Sequence, residues 1–188
     1  LGSNCIFDIP FFQRPYKWTA KSLARLNADI LSLVDEQTDS HFLGAIIVHG
    51  LRTNPADASV YEVIDGQQRL TTLYLHIAAC VRTLIDRDFP EEAESLFTRY
   101  LVVTAVPKSR PNAHLSPSGE DRGSLNAVIY DILQAKQFAT RLSGFSFRPL
   151  AAPPKGSPRI ERNYNDLRRF YREQVAESGI ERLREIYS

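Results

Sequence analysis

Residues 61–84 read YEVIDGQQRLTTLYLHIAACVRTL, and the reading of this stretch decides the fold. A short apolar strand runs into Asp65-Gly66, and a long helix begins at once. Leu70, Leu73, Tyr74, Ile77, Val81, Leu84 and Ile85 recur at helical spacing along it. That apolar face must pack on the sheet to which the strand belongs, so the stretch predicts an α/β core. The helix opens on Gln67-Gln68-Arg69, although a first helical turn prefers carboxylates. The macrodipole leaves roughly half a positive charge at that end, so an arginine there is repelled unless an anion offsets it.

Upstream, Thr19 is an N-cap for a helix to about Gln37, with Leu23, Leu26, Ile30 and Leu33 on one face. HFLGAIIVHG (41–50) reads as a buried strand and SVYEVID (59–65) as a second. IFDIPFFQRPYKW (6–18) has two prolines and no helical period, which predicts an extended segment laid across a surface. Downstream, EEAESLFTRY (91–100) reads as helical, LVVTAV (101–106) as a third strand and residues 107–123 as a loop. An amphipathic helix follows over 124–142, then a Pro/Gly/Ser-rich linker over 143–158, then a helical end with aromatics and leucines on one side. The expected fold class is α/β (α+β), a small mixed sheet with flanking helices. Its domains are a core over residues 1–110 and a helical extension over 111–188.

The composition is that of an ordinary globular chain, 43% hydrophobic and 24% charged over 188 residues. A formal net charge of +1 argues against a surface coated for nucleic acid, but leaves room for a local basic pocket. The apolar runs are too short to cross a bilayer, and no signal peptide is visible. No membrane partner is expected. Cys5 and Cys80 lack metal-site spacing and read as free thiols in a reducing cytoplasm. The chain has no methionine and opens on Leu1-Gly2-Ser3-Asn4, which reads as a tag remnant or a cut inside a longer protein. A fragment is expected.

Four constellations carry chemistry. Strand-Asp65-Gly66-helix gives close backbone approach and free N–H groups, Arg69 a cation, and Asp65 a carboxylate for a metal or a water. Thr71 and Thr72 add hydroxyls in the first turns. A tight turn with Asp65 as helix cap accounts for the same residues equally well. Gln13-Arg14 with Tyr16 and Trp18 suits planar recognition of a base or contact with a phosphate. Taken alone, that cluster is better explained as a surface arginine beside buried aromatics. Asp121-Arg122 reads first as a solvated turn, and Asn163-Tyr164 first as helix packing. The arginines beyond residue 158 alternate with carboxylates, as on a solvated helix face. The four histidines show neither metal-ligand spacing nor an HNH context, and no nucleophile elbow or Walker A sequence occurs.

Taken in order, IPFFQRPYKW, HFLGAIIV and VIDGQQRLTTL resemble the N-terminal domain of GmrSD-type, modification-dependent restriction enzymes. That family is domain of unknown function 262, with a ParB/sulfiredoxin-like core. The resemblance spans residues 8 to about 85, and DGQQR-LTTL is its specific signature. Weaker echoes follow in HLSPSGEDRGSLNAVI and RNYNDLRRFY, while Phe12 stands where a tyrosine is usual. The resemblance implies an NTP-binding and NTP-hydrolysing domain of a cytoplasmic bacterial anti-phage system. Its nucleotide would be GTP or another NTP, with Mg²⁺, and its further partners DNA, modified or not, and an HNH-type nuclease, C-terminal or separate.

The pocket carried over comprises Gln13, Arg14, Asp65, Gly66, Gln67, Gln68 and Arg69. Within it Asp65, Gln68 and Arg69 would be catalytic, and Asp65 would meet Mg²⁺. Thr71 and Thr72 join the nucleotide set, Tyr16 and Trp18 contact a base or DNA, and Asp121, Arg122, Asn163 and Tyr164 are secondary candidates. Two alternatives stand beside this expectation. One is a DNA-binding module that senses modification with nucleotide as effector only. The other is a DNA-nicking ParB-like nuclease, ranked last because no carboxylate cluster is visible in the sequence; the chain by itself is not expected to be a nuclease.

Overall fold

Why a strand and a helix meet at Gly66 is a matter of one backbone angle, and the rest of the molecule is arranged around that junction. The computed structural model describes residues 4–36, 42–52, 58–103, 112–117, 119–142, 145–149, 151 and 156–187. In chain order these form β1 (Cys5–Asp8), α1 (Ala20–Glu36), β2 (Ile47–Arg52), β3 (Ser59–Asp65) and α2 (Gln67–Asp86). There follow α3 (Pro90–Leu96), a π-helical turn (Phe97–Leu101), β4 (Leu115–Ser116), α4 (Gly119–Leu133), α5 (Lys136–Arg141), α6 (Pro158–Ser178) and α7 (Ile180–Tyr187). The sheet order is β2-β3-β1-β4. β1 runs parallel to β3 and to β4, while β2 is antiparallel to β3. This is the small mixed sheet flanked by helices that an α/β fold requires.

Several expectations are corrected. The segment at 6–18 is not wholly a surface segment: Cys5–Asp8 is an interior strand, paired on both sides, with Cys5, Ile6 and Phe7 buried. The strand expected over 41–50 begins only at Ile47, runs to Arg52, and is an exposed edge. Ile47 remains 53% exposed there. LVVTAV is not a strand over its described part; Leu101 closes the π turn and Val102 makes a single bridge to Ala113. The loop expected over 107–123 instead holds β4 and the start of α4. Residues 104–111 lie outside the described set. The helix expected over 124–142 breaks before Lys136, and the last one breaks at Gly179, whose φ is +76°.

α2 is the axis of the core. Leu75, Ala78, Ala79, Val81 and Leu84 on it are fully buried. α6 packs along it through Ile160, Tyr164, Leu167 and Tyr171, spaced at helical intervals on one face. The buried cluster runs without interruption from Cys5 to Leu183. At the rim, Arg82, Arg168 and Arg172 pair with Asp86 and Asp131, tying α2, α4 and α6 together. Both cysteines are buried free thiols. No described helix is long and apolar enough to cross a membrane.

His76 sits inside this packing, with Nδ1 3.1 Å from the Tyr171 hydroxyl. Burial pushes its imidazole down to about 3. The folded state therefore holds His76 neutral, while the unfolded chain takes up a proton below about 6.5. Stability is expected to fall as pH drops from about 6.5 towards about 3. Burial lowers His114 as well, with the same sign. Urea unfolding should show a lower midpoint at pH 5 than at pH 7, with a smaller difference in His76→Asn.

Candidate functional site

Gly66 has φ +91° and ψ +7°, the left-handed conformation that turns β3 into α2 without a spacer. A Cβ at this position would meet Ala45 O, Ile46 Cα and Ile46 Cγ1, each at 3.1 Å. Both the angle and the close approach therefore require glycine. Gly66→Ala is expected to cost about 1–2 kcal/mol for the backbone angle alone, with more from the contact, read as a lowered urea midpoint. No side chain caps α2, so Asp65 does not play the helix-cap part.

The two glutamines that open α2 grip the segment before α1. Gln67 Nε2 donates to Arg14 O at 3.0 Å, and Gln68 Nε2 donates to Pro15 O at 3.2 Å. The Lys17 N–H donates to Gln68 Oε1 at 2.7 Å. Gln13 Nε2 donates to Ile64 O at 3.1 Å, fixing the same segment to β3. From the other side, the Tyr16 N–H donates to Asp121 Oδ2 at 2.6 Å. Asn163 Nδ2 donates to Tyr16 Oη and to Trp18 O, both at 3.1 Å. Tyr16 is only 3% exposed, and its hydroxyl also lies 2.8 Å from Thr72 Oγ1. Burial raises its phenol above the ordinary value. A proline-containing segment with few partners of its own is thus held from three helices.

Held in this way, the segment forms one wall of a cleft of about 800 Å³. Gln13, Arg14, Trp18, Asp65, Gly66, Gln67, Gln68 and Arg69 line it. Asp65 is 68% exposed at the side chain and Arg69 32%. Their ion pair spans 3.5 Å, and the Arg69 guanidinium also donates to Ala45 O, beneath Gly44. Arg69 Nε and Gln67 Oε1 are buried with no hydrogen-bond partner among the described atoms. An orphaned donor and acceptor in one wall are the kind of exception that calls for a functional account. Three arginines, at 14, 25 and 69, face two aspartates, at 29 and 65, around the cleft. Gly66, Gln67, Gln68 and Arg69, which open α2, line the same cleft, and the first amides of a helix have no acceptor within it.

The structure sorts the expected residues into two groups. Gln13, Arg14, Trp18 and the Asp65–Arg69 turn come together in the cleft. Thr71, Thr72 and Tyr16 instead face the core, buried, and present no surface to a ligand. Asp121 is buried under Tyr16, while Arg122 braces Pro117 O at 2.9 Å and Ala151 O at 3.0 Å. Asn163 is buried, and the Tyr164 hydroxyl donates to Asp131 Oδ2 at 2.8 Å. The aspartate-arginine and asparagine-tyrosine pairs hold the walls and do not line the cleft.

Missed from the sequence are Ser22, Arg25, Leu26 and Asp29 on α1, with Phe42 and Leu43, which complete the lining. The spacing of 22, 25, 26 and 29 along one helical flank was the available signal. Among the described residues, no group of three or more His, Cys, Asp or Glu is gathered to hold a metal ion. A family model described as the GmrSD restriction endonuclease, N-terminal domain, matches residues 1–186. No curated protein matches the chain.

Proposed function

The chain belongs to the family of GmrSD restriction endonuclease N-terminal domains, and hence to a restriction system; on that premise we propose that it binds and hydrolyses a nucleoside triphosphate in the cleft between α1 and the start of α2. The observation that carries this is the convergence of Arg14, Arg25, Arg69 and the helix amides in one cleft of nucleotide size. Arg69 and Arg14 neutralise phosphate charge, and the amides after Gly66 cradle the oxygens. A phosphate there also offsets the repulsion between Arg69 and the positive end of α2. Gln68 is committed to Pro15 and Lys17, so its part is to position the wall and not to orient water.

Asp65 fits Mg²⁺, since one exposed carboxylate beside a phosphate site is how that ion is commonly held. When bound, the ion supplies further neutralisation of phosphate charge. In the reaction, water adds to the γ-phosphorus, the bond to the bridging oxygen breaks, and the nucleoside diphosphate leaves. The full system would act in the bacterial cytoplasm on DNA, through an HNH-type nuclease domain that is C-terminal or separate.

One observation favours a second role beside this. Phe11 is 90% exposed and Phe12 67%, packed edge to face 5.7 Å apart immediately before Gln13. Exposed aromatics next to a cationic cleft suit stacking on a DNA base, so DNA contact with nucleotide as effector remains the competing account.

The test is phosphate release from the purified chain with Mg²⁺ and each of GTP, ATP, CTP and UTP, with modified DNA, plain DNA or none. Release above the protein-free blank supports hydrolysis. DNA binding lost in Phe11→Ala with Phe12→Ala, without release under any condition, supports the effector account. Reproducible nicking lost in Asp65→Ala supports a ParB-like nuclease instead.

A further inference from the structure

Two glycines let the chain before β2 cross the turn into α2 at close range. Gly66 admits Ala45 O and Ile46 Cα to within 3.1 Å of where its own Cβ would stand. Gly44, on the crossing segment, admits a side chain in the same way. A Cβ on Gly44 would lie 2.9 Å from Arg69 Nη1, 3.0 Å from Cζ and 3.3 Å from Nε. Three atoms of one planar group at nearly equal distance mean that Gly44 meets the face of the guanidinium, not its edge. The edge is engaged elsewhere, by Ala45 O and by the Asp65 carboxylate at 3.5 Å. Arg69 Nε is buried here, while the side chain as a whole stays 32% exposed and lines the cleft. Gly44 is not among the residues that line it.

A long side chain that must be ordered when its ligand arrives gives up part of the affinity it supplies. Arg69 is spared that cost, because its face and one edge are occupied beforehand. A Cβ at 2.9 Å from Nη1 leaves no room for the guanidinium where it now lies. The guanidinium is the free end of a long side chain, so it is the group that gives way. Gly44 also has φ +95°, a left-handed angle that any other residue adopts at a cost in stability. Replacing Gly44 therefore has two separable effects. The angle acts on the fold whatever stands at position 69, and the Cβ acts on Arg69.

We infer that Gly44 is a positioning residue for the phosphate end of the cleft, the seat on which the Arg69 guanidinium lies; this rests on the nucleotide reading given above.

The experiment is a double-mutant cycle between Gly44→Ala and Arg69→Ala, since only groups that act through one another depart from additivity. Each protein is titrated by calorimetry with Mg²⁺ and GTP, ATP, CTP or UTP, and unfolded in urea. Gly44→Ala should weaken nucleotide binding about three- to tenfold, the cost of ordering one long side chain on binding. In the Arg69→Ala background the same substitution should leave affinity unchanged. The urea midpoint should fall in both backgrounds, because the backbone angle is strained in both. Nuclear magnetic resonance of the arginine Nε–H groups reports on the seat without any ligand. The Arg69 signal, identified by its loss in Arg69→Ala, should resist exchange with solvent in the wild-type chain and lose that protection in Gly44→Ala. Gly44→Asn introduces the same Cβ on a residue that tolerates the left-handed angle better, and carries the test if Gly44→Ala does not fold. Equal losses of affinity in the two backgrounds, full affinity in the Gly44 variants, or an Arg69 Nε–H signal that neither variant moves would each overturn the seat and leave the nucleotide reading standing. If no nucleotide binds the wild-type chain, the nucleotide reading falls, and the role of Gly44 in it falls too.

Discussion

Arg69→Ala is expected to lower nucleotide turnover by about 10²–10³-fold, the loss seen when one preorganised charge-stabilising donor is removed from a transition state. The guanidinium is placed by two fixed partners, Ala45 O and the Asp65 carboxylate. It therefore meets a phosphate without first being ordered. Arg69 stands outside the buried stripe of α2, so the fold should persist, and far-ultraviolet circular dichroism of the variant should overlay the wild type. Arg69→Lys keeps the charge but loses the planar fork, and should fall between the two. Wild-type turnover in Arg69→Ala would move the chemistry away from α2.

Phe97→Ala should lower stability by about 3–5 kcal/mol, the usual cost of truncating a buried phenylalanine. Phe97 is fully buried in the π turn after α3. Its ring meets Phe138 of α5 edge to face at 5.4 Å and Phe145 at 5.8 Å. One side chain thus joins the residues before 110 to those after 111. The variant should unfold in a single transition shifted to lower urea. Two separated transitions would show that these two regions fold as independent units.

The junction at Gly66 was legible because two local rules meet there. Glycine alone takes the left-handed angle at low cost, and α2 carries its periodicity for five turns. β1 was not legible as a strand, because Cys5, Ile6 and Phe7 are buried in succession and show no alternation. β2 misled in the opposite direction: Ile47, Val48 and Leu51 are apolar yet exposed on an edge strand. Apolar content gives strand propensity, not burial.

Within the site, the five residues at 65–69 are contiguous and so could be read as a unit. Their division of labour could not. Gln67 and Gln68 serve the backbone of Arg14, Pro15 and Lys17, contacts made between distant parts of the chain. Tyr16 and Trp18 look alike in sequence, but Asp121, Thr72 and Asn163 draw Tyr16 into the core while Trp18 stays at the cleft. Such hydrogen bonds leave no periodic trace.

The central claim is that the Gly66–Arg69 turn is the phosphate end of a nucleotide site, and calorimetric titration of Mg²⁺-nucleotide into the wild-type chain and Arg69→Ala tests it most directly. Saturable one-site binding to the wild-type chain, weakened about tenfold or more by loss of a charged partner, is the predicted result. Equal binding by the two proteins, or no heat with any nucleotide, would contradict it.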